Sequence, residues 1–215
     1  MSAQTLRITE IFYSLQGETS TVGLPTAFVR LTGCPLRCSY CDTAYAFSGG
    51  EYLDLGAILR QVAAYGTSHV TVTGGEPLAQ AGCLPLLSAL CDAGHVVSLE
   101  TSGALDVTPV DPRVVRVLDL KTPSSGECGR NLYSNLAQLR AADQVKFVLA
   151  DRADYDWAVL TAAQHGIGQR ATVLFSPVHG ALDGAVLAQW MLDDRLPYRL
   201  QLQLHKLLWG EEPGR

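Results

Sequence analysis

Short apolar runs alternate with amphipathic stretches along most of the chain. Runs rich in Val, Leu and Phe predict buried strands, and apolar residues at helical spacing predict the helices between them. The predicted strands are residues 26–31, 69–73, 96–100, 114–120, 144–149, 172–175 and 198–203. The predicted helices are residues 54–65, 83–93, 131–141, 154–166 and 183–193.

This alternation predicts an α/β fold, because parallel strands need right-handed crossover connections that are usually helices. A complete eight-stranded barrel typically takes about 250 residues, and the chain has 215. We therefore expect an incomplete, TIM-like barrel of parallel strands and helices, open on one side. No linker or internal repeat divides the chain, so residues 1–215 are predicted to form one domain.

Polar and glycine-rich segments follow five of the predicted strands. In chain order they are CPLRCSYC, GGEP, ETSG, DLKTP and SPVHG. In folds of this class the chemistry gathers where the carboxyl ends of parallel strands meet. The sequence therefore predicts one functional site on that rim.

Composition narrows the functional classes. Hydrophobic residues make up 47% and charged residues 17% of the chain, and the net charge is −5 without any cluster of Lys and Arg. A nucleic-acid partner is therefore not expected. No signal peptide and no apolar run of about 18 residues is present, so we expect a cytoplasmic protein without membrane contact. Six cysteines in such a protein are more typical of ligands, catalysts or core residues than of disulfides.

Three of these cysteines, Cys34, Cys38 and Cys41, have the spacing C-x3-C-x2-C directly after the first predicted strand. Thiolates on one tight loop suit an iron–sulfur cluster. The alternative is structural zinc in an adaptor protein, although structural zinc takes four ligands, usually as two separated pairs. A four-iron cluster held by three thiolates leaves one iron open to an external ligand.

This cysteine pattern, followed by TGGEPL at residues 73–78, resembles the radical S-adenosylmethionine superfamily. In that superfamily the open iron chelates the amino and carboxylate groups of S-adenosylmethionine, whose reductive cleavage yields a hydrogen-abstracting radical. The two glycines allow a ligand to approach the backbone closely, and Glu76 offers an acceptor for an ammonium group. The radical chemistry belongs to the cofactors, so no side chain is assigned as a catalyst.

Further segments, IFYSLQGE, AFVRLTGCP, CDT, ETSG and QLHK, resemble the 7-carboxy-7-deazaguanine synthase family of the queuosine pathway, over residues 8–206. The resemblance implies conversion of 6-carboxy-5,6,7,8-tetrahydropterin to 7-carboxy-7-deazaguanine with loss of ammonia. It implies a 4Fe-4S cluster, S-adenosylmethionine and Mg²⁺ as cofactors. It also implies a homodimer that receives electrons from a flavodoxin or ferredoxin type of donor.

The resemblance also assigns site residues position by position. Cys34, Cys38 and Cys41 would bind the cluster, and Thr43 would bind Mg²⁺. The expected substrate contacts are Leu15, Gln16, Gly17, Arg30, Thr73 and His205. The expected S-adenosylmethionine contacts are Tyr40, Cys41, Asp42, Gly75, Glu76, Asp119, Leu120, Lys121, Ser176, Pro177, Val178 and His179.

These assignments suit the chemistry of the residues. The planar fork of Arg30 suits the substrate carboxylate, Gln16 can donate and accept at the pterin edge, and Thr43 offers a hard oxygen to Mg²⁺. For His205 a substrate contact and a structural position at the rim both stay open. Lys206 is expected to be a solvated rim charge.

The chain departs from the family pattern in two segments. Many relatives have LQGEG where this chain has LQGETS, so Thr19 replaces a glycine, and DLKTPSSGE replaces a serine-proline-lysine motif. A radical activase that forms a glycyl radical on a partner protein is the alternative within enzymes. That alternative predicts a broad docking surface without a pterin pocket.

Overall fold

A computed structural model of the protein describes residues 5–210, 212 and 214. The strands are β1 (Thr5–Leu15), β2 (Pro25–Leu31), β3 (Glu51–Asp54), β4 (His69–Gly74), β5 (Val96–Thr101), β6 (Val115–Leu120), β7 (Gln144–Leu149), β8 (Thr172–Pro177) and β9 (Arg199–Leu200). The α-helices are α1 (Leu55–Ala64), α2 (Cys83–Asp92), α3 (Arg152–Gln164), α4 (Gly184–Asp193) and α5 (Leu204–Trp209).

All nine strands form one sheet in the order β3-β1-β2-β4-β5-β6-β7-β8-β9. From β2 to β9 neighbouring strands run parallel, whereas β1 runs antiparallel to both β2 and β3. The sheet ends at β3 and β9 instead of closing. The prediction of an incomplete, TIM-like α/β barrel is therefore confirmed. The prediction of a single domain stays a prediction, and the continuous sheet supports it for the described residues.

The predicted strands up to residue 175 are confirmed with ends that shift by at most two residues. Their apolar side chains pack into one core with the apolar faces of the crossover helices. Three of these helices begin at an aspartate whose carboxylate accepts hydrogen bonds from backbone N–H groups of the first turn. These aspartates are Asp54, Asp151 and Asp183.

The helix predicted over residues 131–141 is wrong. The segment forms 3-10 turns at Tyr133–Gln138, with Asn135 buried in the middle. The Asn135 amide donates to the carbonyl oxygens of Gly103 and Leu105, and its oxygen accepts from the N–H of Val107. Asn135 thus supplies hydrogen-bond partners to buried backbone groups of the loop after β5. These side-chain hydrogen bonds favour the 3-10 turns over a regular helix.

The strand predicted over residues 198–203 is largely wrong as well. Only Arg199–Leu200 pairs with β8, and the chain then turns into α5. The turn places Gln203 and His205 over the interior of the sheet, where the N–H of Leu204 donates to the carbonyl of Gly17 at 2.9 Å. The strands β1 and β3 were not predicted, because they pair antiparallel outside the strand–helix repeat.

The loop between β1 and β2 enters the concave interior of the sheet. The N–H of Ser20 donates to the Gln144 side chain at 2.8 Å, and the Gln144 amide donates back to the Ser20 hydroxyl at 2.9 Å. Thr19, which is 1% exposed, has a φ of 67°. A left-handed conformation that favours glycine is thus adopted here by a β-branched residue, at the position where the family pattern has glycine.

Candidate active site

A cavity of about 380 Å³ opens where β2, β4, β5, β6 and β7 end, with the β1–β2 loop as its floor. This volume suits a small-molecule ligand. Most of the predicted site residues line it. They are Leu15, Gln16, Gly17, Arg30, Cys34, Cys38, Tyr40, Cys41, Asp42, Thr43, Thr73, Gly75, Asp119, Lys121 and His205.

Six predicted contacts are not among the cavity-lining residues: Glu76, Leu120, Ser176, Pro177, Val178 and His179. Leu120 points to the helix side because strand residues alternate between faces, and it is fully buried in the core. Ser176 lies opposite Val148 in the β7–β8 register, one strand beyond the wall that Val148 forms.

Glu76 is fully buried beside the cavity instead of facing it. Its carboxylate accepts hydrogen bonds from the hydroxyls of Thr101 and Ser102 and from the N–H groups of Ser102 and Leu78. The acidic residue of GGEP thereby fixes the ETSG segment at the end of β5. The structure gives Glu76 this internal role, and its predicted contact with a ligand ammonium stays a prediction.

The cysteine loop is held from both sides. Its Ser39 donates through N–H and hydroxyl to the carbonyl oxygens of Ser125 and Ser124, at 3.0 and 2.6 Å. On the other side, the N–H of Gly75 donates to Leu31 and the N–H of Glu76 donates to Gly33. A Cβ at Gly75 would lie 2.9 Å from the Cβ of Cys34, so only glycine lets the end of β4 approach the loop this closely.

All three cysteines of the loop are free and half-buried, and all three line the cavity. Burial raises the pKa of the Cys34 and Cys38 thiols, although Lys121 acts in the opposite direction on Cys38. Loading a metal cluster therefore releases protons from these thiols. Within the described residues no three His, Cys, Asp or Glu side chains converge on one point for a single ion. In a four-iron cluster each thiolate binds its own iron.

Asp119 and Lys121 lie beside the cysteines at the end of β6. Lys121 contacts Asp119 Oδ2 at 3.0 Å, whereas Asp119 Oδ1 is buried without a hydrogen-bond partner among the described residues. A buried carboxylate oxygen in this position is an acceptor for a ligand N–H or O–H group. Tyr40 completes this end, with its hydroxyl next to the Thr122 hydroxyl at 3.0 Å and its pKa raised by burial to about 12.

Arg30 lines the cavity together with aromatic rings. Its guanidinium lies 5.8 and 5.9 Å from the ring centres of Phe12 and Tyr45, within the range of cation–π contacts. Phe12 in turn stacks on Phe28 with ring centres 4.8 Å apart. The wall therefore presents flat apolar surfaces and one fixed cation side by side.

Glu100, at the end of β5, was not predicted as a site residue, yet its carboxylate lines the cavity. Gln16 Nε2 lies 3.4 Å from one Glu100 oxygen and Thr73 Oγ1 lies 3.4 Å from the other. Burial raises the pKa of Glu100, and Glu18 acts in the same direction. Gln16 is 2% exposed and also donates to Thr71, so its amide positions Glu100 from below.

Lys146 and Glu18 form an ion pair at the cavity floor that was not predicted either. Lys146 Nζ lies 2.6 Å from Glu18 Oε2 and 3.7 Å from Asp119 Oδ2. Burial alone would raise the pKa of Glu18, but the ion pair outweighs it and the pKa lies below the ordinary value. The signal in the sequence was a lysine inside the apolar run QVKFVL, since a buried lysine is rarely left unpaired.

Asp42 and Thr43 lie next to each other after the third cysteine. The Thr43 hydroxyl donates to Asp42 Oδ1 at 2.8 Å, and Gln203 Nε2 donates to Asp42 Oδ2 at 3.1 Å. Burial acts against ionisation of Asp42, but these hydrogen bonds and nearby cations lower its pKa. Lys206 is one of those cations, 3.7 Å from Asp42 Oδ2, with a side chain 10% exposed. The prediction of a solvated Lys206 is wrong.

His205 closes the cavity on the side of the C-terminal helix. Gly17 packs so closely against the imidazole that a Cβ at Gly17 would collide with Nδ1. Burial lowers the pKa of His205, so the neutral imidazole is the favoured form. The structure places His205 at the cavity, and a contact of His205 with the substrate stays a prediction.

The donor set fits the groups that the sequence predicts. Three thiols on one anchored loop, with Gly75 packed tightly against it, suit a four-iron cluster with one open position. The orphan oxygen of Asp119 suits a polar ligand bound next to that cluster. Hard oxygens of Asp42 and Thr43 on the same side suit Mg²⁺, which takes few protein ligands.

Comparisons with known proteins agree with this donor set. The model of the Radical SAM superfamily matches residues 28–119. The 7-carboxy-7-deazaguanine synthase of Chlorobaculum tepidum is 50% identical over 210 residues, which cover 96% of each chain. The synthase of Koribacter versatilis is 41% identical, covering 96% of this chain and 98% of the relative. The crystal structure of QueE from Escherichia coli shares the fold, with a TM-score of 0.78 at 23% identity, covering 94% of this chain and 95% of that chain.

Proposed function

Because the chain belongs to the 7-carboxy-7-deazaguanine synthase family of radical S-adenosylmethionine enzymes, we propose that it converts 6-carboxy-5,6,7,8-tetrahydropterin to 7-carboxy-7-deazaguanine and ammonia. Substrate and product differ by one ammonia, so the conversion consumes neither an oxidant nor a reductant overall. Such an enzyme uses a 4Fe-4S cluster and S-adenosylmethionine, which together supply the hydrogen-abstracting radical when bound.

One observation carries this proposal. One cavity of about 380 Å³ is lined both by the three cysteines and by Arg30 and Glu100. The cysteines suit a cluster with a ligand on its open iron. Arg30 offers a cation for a carboxylate and Glu100 offers a carboxylate for an N–H edge, and 6-carboxytetrahydropterin carries both groups.

At the cluster end, the proposed task of the chain is to hold and orient S-adenosylmethionine. Asp119 Oδ1 accepts a polar hydrogen of this ligand, and Tyr40 and Gly75 border it. Lys121 keeps Asp119 in place through its other carboxylate oxygen. Leu120, Glu76 and residues 176–179 do not line the cavity, so the residues proposed to contact this ligand directly are those on the cavity wall.

At the substrate end, Arg30 binds the substrate carboxylate, and its neighbouring rings exclude water around that ion pair. The stacked rings of Phe12 and Phe28 offer a flat surface next to Arg30. Glu100 accepts N–H groups of the pterin, and Gln16 positions Glu100 in place of contacting the substrate through its own amide. This arrangement fixes the pterin ring in one orientation in front of the cysteine loop.

For Mg²⁺ we propose Thr43 as a ligand through its hydroxyl oxygen, next to Asp42. Mg²⁺ usually keeps several waters and takes few protein ligands, which suits this short donor set. The hydrogen bond from Thr43 to Asp42 at 2.8 Å shows that the two oxygens share one location. The family resemblance and this geometry are independent supports.

The partners proposed for the chain rest largely on the family. They are an electron donor of the flavodoxin or ferredoxin type and a second copy of the chain in a homodimer. Pro35, Arg37 and Ser39 are exposed, so part of the cysteine loop lies at the protein surface. This position supports the proposal of an electron donor that docks next to the cluster. Within the described part of the chain no helix has the length and apolar character needed to cross a bilayer. A cytoplasmic location is part of the proposal.

The test is anaerobic reconstitution followed by metal analysis and an assay of pterin conversion and S-adenosylmethionine cleavage with dithionite and Mg²⁺. The proposal predicts about four irons and four sulfides per chain, with conversion of 6-carboxytetrahydropterin that requires S-adenosylmethionine but exceeds the amount of it that is cleaved. Bound zinc without iron would overturn it in favour of a structural protein. Cleavage of S-adenosylmethionine without any conversion of the pterin would favour an activase.

A further inference from the structure

Gln203 connects the two walls of the cavity. Its Nε2 donates to Glu18 Oε1 at 3.0 Å and to Asp42 Oδ2 at 3.1 Å. Glu18 belongs to the loop that forms the floor, and Asp42 belongs to the cysteine loop. One amide nitrogen with two hydrogens thus serves two carboxylates that come from distant parts of the chain.

These contacts continue on both sides of Gln203. Lys146 Nζ lies 2.6 Å from the other oxygen of Glu18, and Thr43 donates to the other oxygen of Asp42. A chain of polar contacts therefore runs from Lys146 on β7, through Glu18, Gln203 and Asp42, to Thr43. Sequence analysis singled out only its last two members.

The C-terminal strap, residues 201–210, has further contacts where Gln203 lies. The N–H of Leu204 donates to the carbonyl of Gly17, and His205 lies over the same glycine. Lys206 lies 3.7 Å from Asp42 Oδ2. Leu207 and Leu208, by contrast, are 66% and 52% exposed, so these two side chains contribute little to the position of α5. Polar contacts at residues 203–206 hold the strap on the side of the cavity, and the N–H of Gln201 anchors its start to the carbonyl of Phe175 at 2.8 Å.

We propose that Gln203 is a positioning residue that fastens the C-terminal strap across the cavity and orients Asp42 beside Thr43. This inference rests on the proposed function for the role of Thr43, but the fastening itself does not. An amide is the side chain suited to this place, because it is neutral and donates to two anions at once. A carboxylate here would face Glu18 and Asp42 as a third negative charge.

The experiment compares Gln203→Glu and Gln203→Met with Gln189→Glu as matched control. Gln189 is exposed on α4 and donates to Asp193 at 2.7 Å, so the control breaks the same kind of contact far from the cavity. Amide hydrogen exchange of Leu204 in the unloaded protein reports fastening of the strap. We expect exchange about ten- to a hundredfold faster in Gln203→Glu, the factor that loss of hydrogen bonds to charged groups corresponds to. The exchange rate of Leu204 in Gln203→Met should lie between those of wild type and Gln203→Glu. The rate in Gln189→Glu should equal that of wild type.

A second readout is kinetic and concerns the orientation of Asp42. Gln203→Glu and Gln203→Met should raise the Mg²⁺ concentration for half-maximal turnover, whereas a purely structural defect would reduce the amount of active enzyme without moving that concentration. Unchanged Leu204 exchange in Gln203→Glu overturns the fastening, and an unchanged Mg²⁺ response overturns the orientation. If wild type forms no deazaguanine product, the proposed function fails, while the exchange measurement still decides the fastening.

Discussion

Arg30 Nε donates to Glu10 Oε1 at 2.7 Å, and the hydroxyl of Tyr45 donates to the same oxygen at 2.9 Å. The side chains of Arg30 and Glu10 are 16% and 22% exposed, so the ion pair is largely shielded from solvent. The Nε edge of the Arg30 guanidinium is therefore occupied by Glu10. The remaining N–H groups are available at the cavity, and the ion pair fixes their orientation before a ligand binds.

Arg30→Lys should lower kcat/KM for the pterin substrate by about ten- to a hundredfold, because a lysine cannot bind Glu10 and a carboxylate with one planar group. The matched control is Arg113→Lys, since Arg113 pairs with Asp111 and Asp92 on the surface at 50% side-chain exposure. Steady-state kinetics checks both variants. Equal kinetics of wild type and Arg30→Lys would remove Arg30 from substrate recognition.

Cys38→Ala should prevent assembly of a four-iron cluster and abolish turnover, because three thiolates are needed for three irons. The fold should survive, since Cys38 lies on a half-buried loop outside the core cluster. Iron content after reconstitution and circular dichroism check the two parts. Cys91→Ala, on the partly buried face of α2, should assemble a normal cluster. Full iron content in Cys38→Ala would show that the ligand assignment is wrong.

Thr43→Ala should raise the Mg²⁺ concentration for half-maximal turnover by about tenfold or more, since loss of metal-site partners typically costs that much affinity. Thr43→Ser keeps the hydroxyl and should respond like wild type. Iron content should stay constant in both variants. The assignment fails if alanine and serine give the same Mg²⁺ response.

Thr19→Gly should be more stable than Thr19→Ala. Both variants lose the contact between the Thr19 and Thr21 hydroxyls at 3.0 Å, but only glycine adopts the φ of 67° without strain. The expected difference in free energy of unfolding is about 1 kcal/mol, the usual cost of a left-handed conformation for a residue with a Cβ. Denaturant unfolding of the two variants measures it, and equal stabilities would mean that Thr19 carries no such strain.

His205 should make stability depend on pH below its ordinary pKa of 6.5. Burial lowers its pKa, and Lys206 and Lys146 act in the same direction, whereas Glu18 and Asp42 oppose them. A lowered pKa means that the stabilisation is complete above pH 6.5 and is lost as the pH falls through the lower folded value. Unfolding of wild type and His205→Gln from pH 5 to pH 8 checks this. Parallel stability curves would contradict it.

The strand–helix repeat was predictable because buried parallel strands appear as apolar runs. Two local errors share another cause. Asn135 and Gln203 lie in segments whose apolar pattern favours regular structure, but their amides bind backbone or side-chain partners from distant segments. Periodicity contains no information about such partners, so these segments were assigned as helix or strand.

The cluster end of the site was predictable because its cysteines and glycines lie on short contiguous motifs. The charged residues of the floor were not, because Glu18, Glu100 and Lys146 come from three separate segments that meet only in the folded sheet. Two of them left a signal in the sequence: Lys146 interrupts an apolar run, and Glu100 ends one. Each indicates a buried charge that requires a partner.

The most direct test of the proposed function is mass spectrometry of the anaerobic reaction of the reconstituted protein with dithionite, S-adenosylmethionine, Mg²⁺ and 6-carboxytetrahydropterin. We expect a product lighter than the substrate by one ammonia and identical in chromatography to 7-carboxy-7-deazaguanine, formed in excess over the S-adenosylmethionine consumed. Unchanged pterin alongside continued release of 5'-deoxyadenosine would contradict it.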